Sequence, residues 1–302
     1  MISVELSTEA KNVLSEANYP LKNRRIKELG VLRDETVRAI TPAVDRVIEQ
    51  YKAKVEMQDI SDIPCMWVTP YQHKVSWKIL YGYGGGYVSG SPFEDLTIAV
   101  PLAAETGAEV VIPHYRLAPE SPWPAAIDDG FSVFKEMSTE PLALVGESAG
   151  GNLCLTLILR AFQLGIPLPR AAAFLSPWCD LTNSGESVVN NNGRDPALSA
   201  QHIDFAANYY VGEHDRTNPM ISPINGVFDN SFPPSIITTG SRDLLMSQAI
   251  ALRDVLKDND VPVELCLWKD LWHVFEWDYR LPESSASIRQ ISNWLQKYMS
   301  RF

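Results

Sequence analysis

The 302-residue chain is poor in cysteine, in basic residues and in long hydrophobic runs. Its four cysteines form no CxxC motif, which excludes a secreted disulfide framework and indicates reduced thiols. The longest apolar run, Leu153 to Leu159, is interrupted by Thr156 and falls far short of the ~20 residues that span a bilayer. The scattered cysteines are Cys65, Cys154, Cys179 and Cys266.

Acidic residues outnumber basic ones, because 26 lysines and arginines against 37 aspartates and glutamates give a net charge of -11. Phosphate groups and anionic membrane surfaces are bound by clustered lysine and arginine, so we expect neither a nucleic-acid nor a membrane partner. Residues 1–13 carry Glu5, Glu9 and Lys11 where a signal peptide would be apolar, which predicts a cytoplasmic protein. The sequence leaves open whether the chain forms a homodimer.

Metal-binding motifs and internal repeats are also missing from the sequence. It contains no HExxH motif and no cysteine–histidine cluster with ligand spacing, so we expect no metal and no cofactor. The absence of repeats excludes solenoid and propeller architectures. A hydrophobic fraction of 45% is that of a globular protein whose core is large enough to hold a pocket.

From about residue 63 onward, short apolar runs alternate with helix-length segments near 94–106, 124–137, 149–164, 245–257 and 284–298. This alternation predicts an α/β fold with a mostly parallel central sheet flanked by helices. Several runs are apolar throughout, as in strands buried on both faces. The predicted strands are Ile63–Thr69, Ser76–Tyr81, Ala108–His114, Leu142–Val145, Ala171–Leu175, Ser235–Thr239 and Val261–Trp268.

Two segments fall outside the alternation. Residues 1–57 are expected to be helical, since apolar residues recur at three- and four-residue steps between Val37 and Tyr51. Residues 183–222 are too long for an ordinary loop in a compact domain. We interpret them as an insertion that covers the carboxyl edge of the sheet and packs against the N-terminal helices.

The segment Gly146–Gly151, with the sequence GESAGG, is a candidate nucleophile elbow. A predicted strand precedes it and a helical run follows, which places Ser148 at the apex of a strand–turn–helix. Small neighbours in such a strained turn let the serine hydroxyl project from the sheet edge. The alternative is a simple Gly/Ser turn before a helix.

A serine nucleophile needs an imidazole to accept its proton and an acid to orient that imidazole. His273 follows the last predicted strand and Asp243 follows Ser235–Thr239, so the order Ser148, Asp243, His273 is that of α/β-hydrolases. Asp270 is the alternative acid, and His273 as a packed loop residue is the alternative to a base. The other histidines are His73, His114, His202 and His214.

The segment Gly82–Tyr87, with the sequence GYGGGY, follows the strand Ser76–Tyr81 directly. It fails the dinucleotide fingerprint because Tyr87 stands at the third glycine position, and no Gly-Lys-Ser/Thr follows as in a phosphate-binding loop. Consecutive glycines let backbone N–H groups approach a ligand, so the loop is an oxyanion-hole candidate. A flexible turn is the alternative.

Together these residues resemble the hormone-sensitive-lipase-like esterases, the bacterial family IV type of α/β-hydrolase. The resemblance runs from about residue 76 to the C-terminus and is carried by several motifs in one order. They are Leu80–Ser91 for HGGG, Tyr115–Glu120 for YRLAPE, Gly146–Gly151 for GDSAGG, and the shorter Ser176–Trp178, Asp180–Thr182 and Ser222–Pro223.

The resemblance implies an α/β-hydrolase fold with a catalytic domain at 58–182 and 223–302. It implies a helical cap from 1–57 and the inserted segment 183–222. The oxyanion N–H groups would come from the glycine loop and the residue after the nucleophile, namely Gly84, Gly85, Gly86 and Ala149. Tyr83 stands where the group has histidine. Aromatic residues that would line the substrate pocket, or simply belong to the core, are Tyr83, Tyr87, Trp178, Trp272 and Tyr209.

The expected function is therefore hydrolysis of a small-molecule carboxylic ester through an acyl-enzyme. Short-to-medium acyl esters, aryl esters or lactones fit a covered pocket better than emulsified triglycerides do. An amidase or deacylase with the same triad is one alternative. A ligand receptor of this fold is another, although such receptors lack the base that His273 would supply.

Overall fold

A single mixed sheet positions the candidate residues in this computed structural model, which describes residue 2 and residues 5–15 and 29–300. Its strand order is β1-β2-β4-β3-β5-β6-β7-β8. β1, β2 and β4 pair antiparallel, and every other neighbouring pair is parallel. The strands are β1 Lys54–Ile60, β2 Ile63–Thr69, β3 Lys78–Gly82, β4 Glu109–Pro113, β5 Leu142–Glu147, β6 Ala171–Leu175, β7 Ser235–Gly240 and β8 Val263–Trp268.

Helices cover both faces of the sheet, as right-handed crossovers between parallel strands require. α3 and α9 pack together on one face with α2 outside them, while α4, α5 and α8 pack on the other. The helices of the described residues are α1 Thr8–Ser15, α2 Leu29–Tyr51, α3 Leu96–Thr106, α4 Ala125–Met137, α5 Ser148–Leu164, α6 Glu186–Asn190, α7 Ala200–Val211, α8 Met246–Asp258 and α9 Pro282–Met299.

The predicted α/β fold is confirmed, and the strands Ile63–Thr69 and Ala171–Leu175 are found with the predicted bounds. The central strands β5 and β6 are buried along their whole length, which explains their unbroken apolar runs. The expectation of helix up to residue 57 is wrong at its end. Helix α2 stops at Tyr51, and Lys54–Ile60 forms the edge strand β1.

Strand β1 pairs with β2 through a two-residue turn. Ser61 and Asp62 both have positive φ, 50° and 63°, which matches the hairpin turns whose twist suits paired strands. The turn lacks the Asn-Gly or Asp-Gly signature of such hairpins, so the sequence did not reveal it. The strand is also largely exposed and carries charged residues, unlike the buried strands that the apolar runs reveal.

The first described residues contact the C-terminal part of the fold. Ile2 forms a parallel bridge with Trp268 of β8. Before α1, the backbone N–H and hydroxyl of Ser7 donate to Glu283 at the start of α9, at 2.7 and 2.9 Å. Residues 16–28 of the predicted N-terminal helices lie outside the described residues.

The inserted segment 183–222 holds the short helix α6 and the helix α7. Tyr210 of α7 stacks on Tyr87 after the glycine loop, with ring centroids 3.9 Å apart. Within the described ranges α2 packs mainly on α3. The expected packing of the inserted segment against the N-terminal helices remains a prediction. The division into a cap and a catalytic domain remains a prediction. Among the described residues, no helix combines the length and the apolar character needed to cross a membrane.

Candidate active site

Ser148 lies where β5 turns into α5. Its φ of 50° falls in the left-handed region, a strained conformation that is common at functional turns. The turn is tight because the start of α5 packs directly against the end of the neighbouring strand β3. A Cβ on Gly150 would overlap the carbonyl oxygen of Gly82 at the end of β3. Only glycine fits at this position, which accounts for the GxSxG pattern at the elbow.

Three side chains from separate loops form one hydrogen-bonded chain. His273 Nε2 lies 3.0 Å from the hydroxyl oxygen of Ser148, and His273 Nδ1 lies 2.9 Å from Asp243 Oδ1. Ser148 and His273 are each 8% exposed, and Asp243 is fully buried. With Nδ1 donating to the carboxylate, Nε2 is free to accept the serine proton.

Asp243 is held as a carboxylate by several donors. The Thr239 hydroxyl donates to Oδ2 at 2.7 Å, and the Leu245 backbone N–H donates to Oδ1 at 2.8 Å. Burial alone would raise the pKa of Asp243, but the charge of His273 and the hydrogen bonds from His273, Ser176 and Leu245 keep it below its ordinary value. The acid therefore stays ionised next to the imidazole.

The environment of His273 favours its protonated form. Burial alone would lower the pKa of His273. The charge and hydrogen bond of Asp243, with the charges of Asp195 and Glu276, outweigh burial and raise the pKa above the usual imidazole value. An imidazolium formed during a reaction would thus be stabilised here. The alternative acid, Asp270, instead lies 3.9 Å from Arg242 and is partly exposed.

The glycine loop lies beside the elbow because β3 and β5 are adjacent. Gly82 is paired in register with Gly146, so both strands end at the same level. Gly85 has a φ of 99°, and a Cβ there would overlap the carbonyl oxygen of Ser89. The loop therefore requires glycine at this position for both its conformation and its space.

Gly84 differs from the two glycines that follow it. The Glu147 carboxyl lies against it, since a Cβ on Gly84 would overlap that carboxyl, and the Gly84 N–H is directed to the carboxyls of Glu147 and Asp95. That Gly84 supplies an oxyanion donor remains a prediction, as it does for Gly85, Gly86 and Ala149. The contact of Gly84 with the Glu147 carboxyl favours the other three as the donors.

Comparison with known proteins shows where this arrangement belongs. Residues 79–277, more than half of the chain, match a protein family described by the alpha/beta hydrolase fold. The chain belongs to the α/β-hydrolase family.

Named relatives narrow this placement. The hydrolase is 32% identical over 236 residues to an acetyl-hydrolase of Streptomyces hygroscopicus, which covers 76% of this chain and 78% of that one. The crystal structure of EstE5 soaked with p-nitrophenyl butyrate has a TM-score of 0.87 and 28% identity, covering 97% of both chains.

A crystal structure of an esterase from the bacterial hormone-sensitive lipase family has a TM-score of 0.86 and 27% identity, covering 98% of this chain and 100% of that one. Together these likenesses confirm the resemblance to hormone-sensitive-lipase-like esterases. The hydrolase is a carboxylic ester hydrolase.

Two of the aromatic residues predicted to line the pocket of this hydrolase lie in its glycine loop, and their pocket role remains a prediction. Tyr83 and Tyr87 are fully buried. The ring of Tyr83 stacks on Tyr115 at 4.1 Å, and each hydroxyl donates to the carbonyl of the other residue. The hydroxyl of Tyr87 donates to Asn152 Oδ1 at 2.8 Å.

The other three predicted pocket residues differ in burial: Trp178 and Trp272 are buried, and Tyr209 is partly exposed. Trp178 is 1% exposed, and its ring lies 4.0 Å from the position that a Cβ on Gly86 would take. Trp272 is also buried, next to His273 in sequence. Tyr209 is partly exposed on α7 and packs against Phe205. Trp178 is thus in contact range of the glycine loop.

The hydrolase also contains supporting residues that the sequence did not reveal. Asn191 donates through Nδ2 to the carbonyl of Asp243 at 2.9 Å, and Asp195 accepts the backbone N–H of Leu244 at 2.8 Å. Both belong to the inserted segment, so this segment fixes the loop that carries Asp243. No motif around them indicates this role, because the partners are about fifty residues away along the chain.

A metal site was not expected from the sequence. Within the described ranges, no group of three or more histidine, cysteine, aspartate or glutamate side chains is arranged to hold a metal ion. All four cysteines are free and buried. Burial raises the pKa of the Cys65, Cys154 and Cys266 thiols to about 12, so these thiols are poor nucleophiles and Ser148 has no competitor among them.

Proposed function

We propose that this hydrolase cleaves small carboxylic esters through a covalent acyl-enzyme on Ser148. The hydrogen-bonded chain from Ser148 through His273 to Asp243 is the observation that carries the proposal. His273 Nε2 takes the serine proton as Oγ attacks the ester carbonyl carbon. Asp243 keeps Nδ1 protonated and stabilises the imidazolium. The imidazolium then protonates the leaving alkoxide, which departs as the alcohol.

Deacylation repeats these steps with water as the nucleophile. His273 removes a proton from water, and the resulting oxygen attacks the acyl carbon. The proton then passes to Ser148 Oγ as the acid leaves. In both halves the carbonyl oxygen becomes negatively charged. The N–H groups of Gly85, Gly86 and Ala149 are the proposed donors to that oxyanion.

Limited access to the nucleophile supports a small substrate. Ser148 and His273 are each only 8% exposed, so the reacting groups are reached through little open surface. Among the relatives, one is named an acetyl-hydrolase and another an ethyl acetate hydrolase. We therefore propose esters of short acyl chains as the substrate class.

Active-site labelling tests the nucleophile directly. A fluorophosphonate probe should attach to Ser148, as located by mass spectrometry of the labelled peptide. Ser148→Ala should lose both labelling and hydrolysis of p-nitrophenyl acetate. Ser132→Ala, on the exposed face of α4, is the matched control and should keep both. Label on another residue, or hydrolysis retained by Ser148→Ala, would refute the proposal.

A further inference from the structure

Two buried carboxyl groups that the proposed mechanism does not use lie next to the nucleophile elbow. Glu147 ends β5 immediately before Ser148, and Asp95 immediately precedes α3; they are 6% and 4% exposed. Their carboxyls lie within hydrogen-bonding reach of each other. The Tyr81 hydroxyl donates to Asp95 Oδ2 at 3.0 Å.

Among the described residues, the titratable groups that act most strongly on this pair carry no positive charge. Two adjacent carboxylates in a buried site cannot both ionise readily, and such pairs retain a proton. The surrounding elements contribute acids and phenols. The titratable groups that face the pair from them are Tyr81, Tyr83, Glu94, Tyr115 and Glu276.

The pair also touches the glycine loop. The Glu147 carboxyl lies so close to Gly84 that a side chain there would overlap it, and the Gly84 N–H is directed to both carboxyls. Gly84 directly precedes Gly85 and Gly86, the proposed oxyanion donors. The pair therefore joins three parts of the site: the end of β5, the start of α3 and the loop.

We infer that Asp95 and Glu147 share one proton and in that form hold Gly84, so that the amides after it face Ser148. They are positioning residues, because they act through Gly84 and not on the substrate. This inference rests on the proposed function, since it concerns the same oxyanion loop.

The protonation behaviour of the pair agrees with this role. Burial raises the pKa of Asp95 to about 7 and raises the pKa of Glu147 well above its ordinary value. A raised pKa means that the proton is bound below it and lost above it. Above the pH at which the first proton leaves, the pair therefore keeps one proton between the two carboxyls, and a further rise in pH removes it. Two carboxylates would then repel each other and release Gly84.

Substitutions at Glu147 separate positioning from mere packing. Glu147→Ala removes the contact with Gly84, and we expect kcat to fall ~10²-fold with KM changed less than about threefold. Glu147→Gln keeps an oxygen that accepts the Gly84 N–H and an amide that donates to Asp95, so it should lose less than about tenfold. Glu136→Gln is the matched control, because Glu136 is an exposed glutamate on α4; its kcat should stay within about threefold of the parent's.

The pH dependence of kcat is the decisive measurement. The parent enzyme should lose activity on the alkaline side as the pair gives up its proton. Glu147→Gln cannot lose that proton, so its alkaline limb should vanish or move to higher pH, while the exposed control Glu136→Gln should keep the parent's limb. The pH profiles of the parent and of Glu147→Gln test the inference even if Glu147→Ala fails to fold.

Several results would overturn the inference. They are a Glu147→Gln variant that folds but falls as far as Glu147→Ala, an unchanged alkaline limb in Glu147→Gln, or no alkaline limb in the parent up to about pH 10. Fluorophosphonate labelling of the parent separates this failure from failure of the proposed function. If Ser148 is labelled but the Glu147 variants do not behave as expected, only the inference about the pair is wrong.

Discussion

Ser148 and His273 act in the same proton transfer in the proposed mechanism, so the effects of replacing them should not add. Ser148→Ala and His273→Ala should each remove most turnover, with a residual acceleration of ~10³-fold over water from the oxyanion donors. The double variant should lie within about tenfold of either single variant. Values of kcat on p-nitrophenyl acetate check this, with melting temperatures to show that each variant folds. Multiplying losses would contradict a shared step.

The raised pKa of His273 predicts where activity is lost in acid. A base with a raised pKa keeps its proton to higher pH, so kcat/KM should fall as the pH drops through a value at or above the free imidazole value of ~6.5. Asp243→Asn should shift this limb to lower pH, because the charge that raises the pKa is gone. It should also lower kcat by ~10⁴. A parent profile that is flat down to about pH 4 would argue against a histidine base.

Gly85 and Tyr83 should differ sharply in their effect on kcat. Gly85→Ala puts a methyl group into the Ser89 carbonyl and displaces a proposed donor, so kcat should fall ~10²–10³-fold. Tyr83→Phe keeps the ring stacked on Tyr115 and loses one hydrogen bond. It should change kcat less than about tenfold, or roughly 1.4 kcal/mol of barrier. Steady-state kinetics on one activated ester compare the two. Equal losses would give the tyrosine hydroxyl a direct role.

At the scale of single residues, the sequence pointed to functional candidates that directly follow predicted strands. Ser148, Asp243 and His273 could be found because parallel strands bring their carboxyl ends to one edge. The Asp95–Glu147 pair could not, because nothing local to Asp95 shows that it meets Glu147. The contact of Gly84 with the Glu147 carboxyl was hidden for the same reason, since that carboxyl comes from another strand.

At the scale of the elements, the side chain of Arg33 connects α2 to loops near the site. Arg33 donates to the carbonyls of Val88 and Ala118 at 2.7 and 2.8 Å, and also to the Glu120 carboxylate. Arg33→Ala leaves both carbonyls without this donor and should lower the free energy of unfolding by about 1–3 kcal/mol. Urea denaturation measures this change. Arg38→Ala, an exposed arginine on the same helix, should cost less than ~0.5 kcal/mol. If both variants lowered the free energy of unfolding equally, the hydrogen bonds of Arg33 would make no specific contribution to stability.

Helices and buried strands were predictable because their apolar patterns are strong. The helix near 124–137 was found to within one residue, since Ala125–Met137 alternates a buried face with an exposed one. The edge strand β1 and its hairpin were missed because β1 is mostly exposed and its turn lacks glycine. The bridge of Ile2 to β8 was equally hidden, because a single residue carries no periodicity.

For the whole molecule, the sheet order explains why the site assembles. β3 and β5 are adjacent, which sets the glycine loop beside Ser148, and β7 and β8 are adjacent, which sets Asp243 beside His273. Strand–helix alternation predicts a parallel sheet but does not give the order of its strands. That order depends on contacts between distant segments, so motif resemblance was needed to anticipate the site.

The covered site leads to a prediction about the whole enzyme's substrate range. Because Ser148 and His273 are each only 8% exposed, a long acyl chain has little open surface through which to approach them. We expect kcat/KM on p-nitrophenyl esters to be highest for acetate to butyrate and to fall at least ~10-fold by dodecanoate, below the micelle-forming concentration. Ser148→Ala supplies the background rate for each ester. A matched p-nitroanilide should react far more slowly than p-nitrophenyl acetate. A preference for long chains would mean that the surface over the site opens, and faster anilide cleavage would indicate an amidase.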